Sequence, residues 1–248
     1  MATGRSTVLL IGAGVVIVAA GATLLATLCL GWGWGADRVE GLTREDRVRS
    51  IGHLADRQPS GAAQALADAV AKEPDPAVRQ AALVGLARFA TPDARTAVDQ
   101  GTHDTSARVR AAAAATLGMY RDEVAVNRLG EMVLGDPEPE ARLGAVTGLG
   151  RHRSAKALVF LMDAAEKDMA VEVPTAALAQ LYYKLGMRST GTQGQADDRR
   201  TAIRRVVENL KDDVIVVEAY RRAGRPIVRN PAYYVPPLTE PDPRAQRR

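Results

Sequence analysis

The chain of 248 residues contains one cysteine and three histidines, and only 4% of it is aromatic. With Cys29 alone, no disulfide framework, cysteine metal site or redox pair forms within one chain. His53, His103 and His152 are far apart and lack close His or Cys companions, so no metal site is expected. The scarcity of aromatics disfavours a β-sandwich, whose strands draw on aromatic and β-branched side chains. Phosphate loops, nucleophile elbows and HxxxH pairs are missing as well. The "GAG" at Gly12 to Gly14 lacks the later glycine and βαβ context of a dinucleotide fingerprint. Acidic residues gather at turns such as "GDPEPE", where helix capping accounts for them. No catalytic residue and no cofactor is expected, and the chain reads as a non-enzyme.

What is present is apolar and small. Residues of the apolar class make up 46% of the chain, mainly Ala, Leu and Val, a composition suited to closely packed helices. Formal charge is +4, with 28 Arg and 5 Lys. Residues 199–248 hold 12 basic against 6 acidic side chains, leaving 21 against 23 in the remainder. The middle of the chain is therefore not a polycation, and no nucleic acid is expected as a partner. Binding of nucleic acid through the basic C-terminal portion is retained as a minor alternative.

From Thr7 to Leu30 the chain runs 24 residues without a charge. As a helix this stretch spans about 36 Å, enough to cross a bilayer core with some tilt. Trp32 and Trp34 follow where interfacial aromatic anchors sit. Residues 1–36 are expected to form a transmembrane signal-anchor in contact with lipid through residues 7–30. A cleaved signal peptide is the competing reading, although secretory apolar cores are usually about 7–15 residues long. The short leader favours a single-pass protein with its soluble part outside the cytoplasmic membrane, whereas Arg38, Arg44, Arg47 and Arg49 pull the other way.

Between residues 37 and 187 one pattern recurs. Val78, Val109, Ala141 and Val173 form a column at spacings of 31, 32 and 32. Four residues later come Ala82, Ala113, Ala145 and Ala177, and eight later Leu86, Leu117, Leu149 and Leu181. Offsets of four and eight share one helical face, so each copy is an amphipathic helix. Asp75 and Ser106 are placed to cap such helices, and Pro76 and Pro174 suit opening turns. Second apolar patterns lie between the copies: Leu66 and Val70, then Val126, Leu129 and Val133, then Leu158, Val159 and Met162. Each unit is thus helix, turn, helix, and stacked units bury what one hairpin cannot. The segment after Thr91 is shorter and more polar than its counterparts.

The "DPxVRxxAxxxLG" pattern, carried best by Asp75, Pro76, Val78, Arg79, Ala82 and Leu86, resembles the short HEAT-like repeats of the phycobilisome-lyase type. Arg110 with Leu117-Gly118 and Arg142 with Leu149-Gly150 extend the likeness, while the unit around Val48 and Arg49 is degenerate and Pro174 stands where Arg is expected. The resemblance implies an all-α fold, a short α-solenoid of helical hairpins used as an interaction scaffold. It also offers a chromophore or cofactor lyase as an alternative.

Arg49, Arg79, Arg110 and Arg142 are read as equivalent, an arginine ladder. One reading makes it a stripe for an acidic protein partner. The other has each guanidinium bonded to a neighbouring acid or helix-end carbonyl near Asp75, Asp104 and Asp136. Residues 188–198 read as a flexible loop, and residues 199–224 as one capping helix or two broken at Asp212-Asp213, with Ile203, Val206, Val207, Leu210, Val214 and Val217 on the apolar face. Residues 225–248 contain six prolines and read as an extended tail. Tyr233, Tyr234 and Leu238 are its candidate partner-binding anchors. The expected whole is a membrane-anchored, non-catalytic protein–protein interaction scaffold, an accessory subunit or assembly factor of a membrane complex.

Overall fold

The computed structural model describes residues 43–187 and 196–233, and among these every regular element is an α-helix. They fall into two compact units divided after Arg121. The first unit holds α1 (Arg44–Arg57), α2 (Ala62–Lys72), α3 (Pro76–Leu86), α4 (Pro92–Gly101) and α5 (Ala107–Leu117). The second holds α6 (Glu123–Gly135), α7 (Pro139–Arg151), α8 (Ala155–Lys167), α9 (Glu172–Leu185), α10 (Ala196–Leu210) and α11 (Val214–Arg222).

Short side-chain caps start most helices. The Thr43 hydroxyl accepts from the Asp46 amide at 3.2 Å while the Asp46 carboxylate accepts from the Thr43 amide, a reciprocal capping box. Asp75 caps α3 with Pro76 in its first position, and Thr91 caps α4 with Pro92 in the same place. Asp122, Ser154 and Asp213 cap α6, α8 and α11. Ser106 occupies the cap position of α5, but its side chain makes no capping bond; the Asp104 carboxylate accepts from the Ser106 amide instead, at 2.8 Å. Gly186 ends α9 at φ 67°, a left-handed conformation in which a side chain would be strained.

In the first unit α3 packs on both α1 and α5, while α4 packs on α2, so odd and even helices make two layers. In the second unit α7 pairs with α9 and α6 with α8, and α10 and α11 close against α8. The repeated columns line the seam between layers. Leu86, Leu117, Leu149 and Leu181 are each 0% exposed, and the valine and alanine columns are buried with them. At about 25 cal/mol per Å² of apolar surface, each such leucine contributes about 2 kcal/mol. Small residues set the spacing: a Cβ on Gly101 would lie 2.9 Å from Leu83 and 3.0 Å from Ala113, so α4 approaches α3 and α5 only because that position is bare. The short polar segment after Thr91 thereby takes a regular place, burying Ala94, Ala97 and Val98.

The C-terminal pair corrects one expectation. Ile203, Val207 and Leu210 are buried as anticipated, but Val214 is 81% exposed and Val217 faces solvent too. The chain breaks after Leu210, and Asp213 caps a fresh helix whose rotation is reset. Val216, Ala219 and Tyr220 therefore form the buried face of α11.

Leu117→Ala and Leu149→Ala are each expected to lower unfolding free energy by about 3 kcal/mol, whereas Val214→Ala should change it by less than about 0.5 kcal/mol. Equilibrium urea denaturation of the three variants checks this contrast.

Candidate functional site

Each even-numbered helix runs into a tight turn whose carbonyls have no helical donor. After α2, α4 and α6 the fourth residue of the following odd helix supplies one. Arg79 Nη1 donates to the carbonyls of Glu73 and Pro74 at 3.0 and 2.9 Å. Its other edge grips the next turn, Nε and Nη2 each donating to Asp104 at 2.8 Å. Arg110 Nη1 donates to the carbonyls of Asp104 and Thr105. Arg142 repeats the whole arrangement, with Nη1 on the Asp136 and Pro137 carbonyls and a two-pronged bond to Asp168 at 2.6 and 3.0 Å. Asp104, Asp136 and Asp168 also each accept from the amide two residues onward, which shapes the turn.

These pairs are half-buried, with Arg79 and Arg142 at 13% side-chain exposure and Asp168 at 5%. Burial acts to raise the pKa of Asp104, but the bonds from Arg79 and the Ser106 amide outweigh it and hold the carboxyl below its ordinary value. The bond to Asp104 raises Arg79 and that to Asp168 raises Arg142, against the opposing effect of burial. Glu73 behaves differently: burial pushes it above the ordinary value, and Arg47 only partly offsets this.

Arg49 stands outside the series. Helix α1 begins at Arg44, so its fourth residue is Arg47, which faces Glu73 at 3.4 Å. Arg49 lies two residues further on, 66% exposed, paired with Asp46 at 2.9 Å. The signal for Arg47 was the Thr43–Asp46 capping box: counting four from each cap residue gives Arg47, Arg79, Arg110 and Arg142 alike. In the last hairpin, where Pro174 precludes the pattern, Arg200 reaches over from α10 to donate to the Met169 carbonyl.

Arg49 lines a different feature, a groove of about 730 Å³ between the solvent-facing sides of α1 and α3. Its floor is made of small residues, among them Gly52, Ala55, Ala81 and Gly85. A Cβ on Gly85 would sit 3.0 Å from Ala55, so that glycine is what brings the two helices together. Val84, 58% exposed, gives the groove an apolar wall. Arg49, Arg88 and Arg108 stand along it, Arg88 paired with Asp56 at 2.9 Å.

At the other end of the chain, residues 225–233 fold back over α8 and α10. Tyr233 accepts a bond from Arg204 Nη1 at 3.0 Å, and the Arg204 guanidinium lies 5.5 Å from its ring centre. Tyr220, beneath this strap, has its pKa pushed up to about 12 by burial, with Asp163 adding to the shift. Tyr234 and Leu238, Trp32 and Trp34, and the span 7–30 lie outside the described residues, as does most of the loop 188–198. No helix among the described residues is long and apolar enough to cross a membrane.

Comparison with known proteins bears on the repeats. Residues 95–182 match the family model for HEAT repeats. The match begins within α4 and ends within α9, and includes Arg110, Arg142 and the acids that serve their turns. HEAT repeats generally mediate protein–protein interaction. No curated protein matches the chain.

Arg79→Lys and Arg142→Lys keep the charge but lose the fork, and each should cost about 2 kcal/mol in chemical denaturation, against less than about 0.5 kcal/mol for Arg49→Ala. Asp104 supplies a pH signature. With its folded-state pKa depressed, its contribution is present above the ordinary aspartate value of 3.8 and fades as pH falls through the folded-state value. The melting temperature of Asp104→Asn should accordingly sit below wild type at neutral pH, and the gap should close on acidification.

Proposed function

We propose that the chain is a membrane-tethered, non-catalytic scaffold that docks a protein partner in the α1–α3 groove, as an accessory subunit or assembly factor of a membrane complex. The observation that carries the docking surface is the groove itself: a small-residue floor, an exposed valine and a row of arginines on helices whose inner faces are locked by the leucine seam and the ladder. The uncharged run from Thr7 to Leu30 supports the tether, and the short leader before it supports placing the repeats outside the cytoplasmic membrane.

The groove suits an amphipathic helix with acidic flanks. Its floor admits close approach of an apolar stripe, and Arg49, Arg88 and Arg108 among its lining residues supply guanidinium groups for a partner's carboxylates. Exposed pairs such as Arg88–Asp56 are weak enough to exchange for a partner's carboxylate.

Affinity purification of the full chain from membranes in mild detergent should recover a stoichiometric partner. Ala81→Glu, which fills the floor with a charge, should abolish recovery while leaving the melting temperature within a few degrees of wild type. A lone monomer from the wild-type preparation, or undiminished recovery with the variant, would overturn the reading.

A further inference from the structure

Residues 225–233 are attached in a way no helix among the described residues is. None of them is buried, so the strap gains little from apolar contact. Its hold is polar throughout. Arg225 Nη1 donates to Asp163 at 2.5 Å, and Lys211 Nζ donates to the Val228 carbonyl at 2.6 Å. Arg229 pairs with Asp212 and reaches the carbonyls of Glu208 and Lys211 at 3.5 and 3.4 Å. Tyr233 completes the series on Arg204.

The surface beneath is built to receive charge. Asp163, Glu208 and Lys211 are 3%, 1% and 1% exposed, held on α8, α10 and the turn after α10. Each buried charge keeps a second partner inside the unit: Asp163 has Lys167 at 2.9 Å, and Lys211 has Glu208 at 2.7 Å and Glu166 at 3.1 Å. Lifting the strap therefore strands no lone ion, which is the circumstance that makes removal of a buried partner so costly. Glu208 Oε2, sealed from water, makes no hydrogen bond and leaves an acceptor unused. Gly224, at φ 65°, joins α11 to the strap in a conformation suited to a hinge.

We infer that this seat is a peptide-binding site for an extended segment bearing two arginines four residues apart. Residues 225–233 occupy it in cis, and the same segment of a second copy of the chain is its trans ligand. Both halves of the recognition are on one molecule: the seat, and the segment whose fit to it is observed. Tethering keeps the cis segment at an effective concentration of about a millimolar, so the strap of a second copy displaces it where copies are held together at comparable local concentration, and a dilute free peptide competes only when the resident one is weakened.

The probe is a labelled synthetic peptide of residues 224–234, titrated by fluorescence anisotropy into full-length chain. The double variant Arg225→Glu/Arg229→Glu, with its strap discharged, should bind it at least about tenfold more tightly than wild type does. Adding Asp163→Asn to that variant should remove most of the gain, and a peptide with both arginines changed to glutamate should not bind. Circular dichroism confirms that helix content is kept. Equal affinity for wild type and discharged variant, or no binding by a folded discharged variant, overturns the site. Limited trypsin digestion of wild type gives a second route should the variants misfold: strong salt should speed cleavage after Arg229 and leave α8 and α10 uncut, and an unchanged or uniform response overturns the idea. For the trans ligand, tagged discharged chain should co-purify untagged Asp163→Asn chain, since one supplies an intact seat and the other an intact strap. Peptide binding without that heteromer refutes the second copy as source. Partner recovery through the α1–α3 groove is read separately and does not depend on these outcomes.

Discussion

Unanswered carbonyls at the ends of the even helices are the constraint around which the rest is arranged. A tight turn packed into the stack cannot leave them bare, because an unpaired buried acceptor costs about as much as a strong hydrogen bond contributes. Arginine answers them because its planar fork serves two directions at once. One edge of Arg79 closes its own turn through Glu73 and Pro74, and the other reaches Asp104 in the next. Arg142 does the same between Asp136 and Asp168. The leucine seam supplies most of the stabilisation, but leucine contacts are non-directional. It is the fork that fixes how far one hairpin stands from the next.

The two ends of the described chain handle their boundary conditions differently. At α1 the rung is present but loosened, since Arg47 meets Glu73 at 3.4 Å and one Glu73 oxygen stays unpaired in a buried place. At α9 the rung is replaced. Pro174 sits in the opening turn, and the Met169 carbonyl takes its donor from Arg200 on α10 instead. The unit beyond is then sealed by a charged cluster of Asp163, Glu166, Glu208 and Lys211, a different kind of closure from the apolar seam.

The fold was legible wherever a local period carried it. Columns at offsets of four and eight placed Leu86, Leu117, Leu149 and Leu181 in the interior, because one helical face repeats with that spacing whatever lies opposite. Register failed at two places for identifiable reasons. In α1 the apolar Val48 imitated the valine column and drew attention to Arg49, although the capping box beginning at Thr43 set the helix two residues earlier. In α11 the period was carried through Asp212 and Asp213, which end one helix and cap another, so Val214 and Val217 were assigned to the wrong face. Of the site, the carbonyl-binding role of the arginines was among the readings open from sequence, whereas Asp168 as the mate of Arg142 was not anticipated. The strap left no trace in the pattern: Arg225 meets Asp163 across 62 residues, and no spacing rule links such positions.

The ladder bears on how such a chain changes length. A hairpin that brings one arginine near the start of its second helix and one acid in its turn carries a plug and a socket of the same gauge as its neighbours. Duplication or loss of a whole cassette of 31 or 32 residues, the interval separating Val78, Val109, Ala141 and Val173, preserves the offset of 25 or 26 residues at which Arg79 meets Asp104 and Arg142 meets Asp168. Insertion of a few residues inside a turn does not, since the guanidinium would then meet the wrong carbonyls. Growth of the array is thereby confined to integer steps.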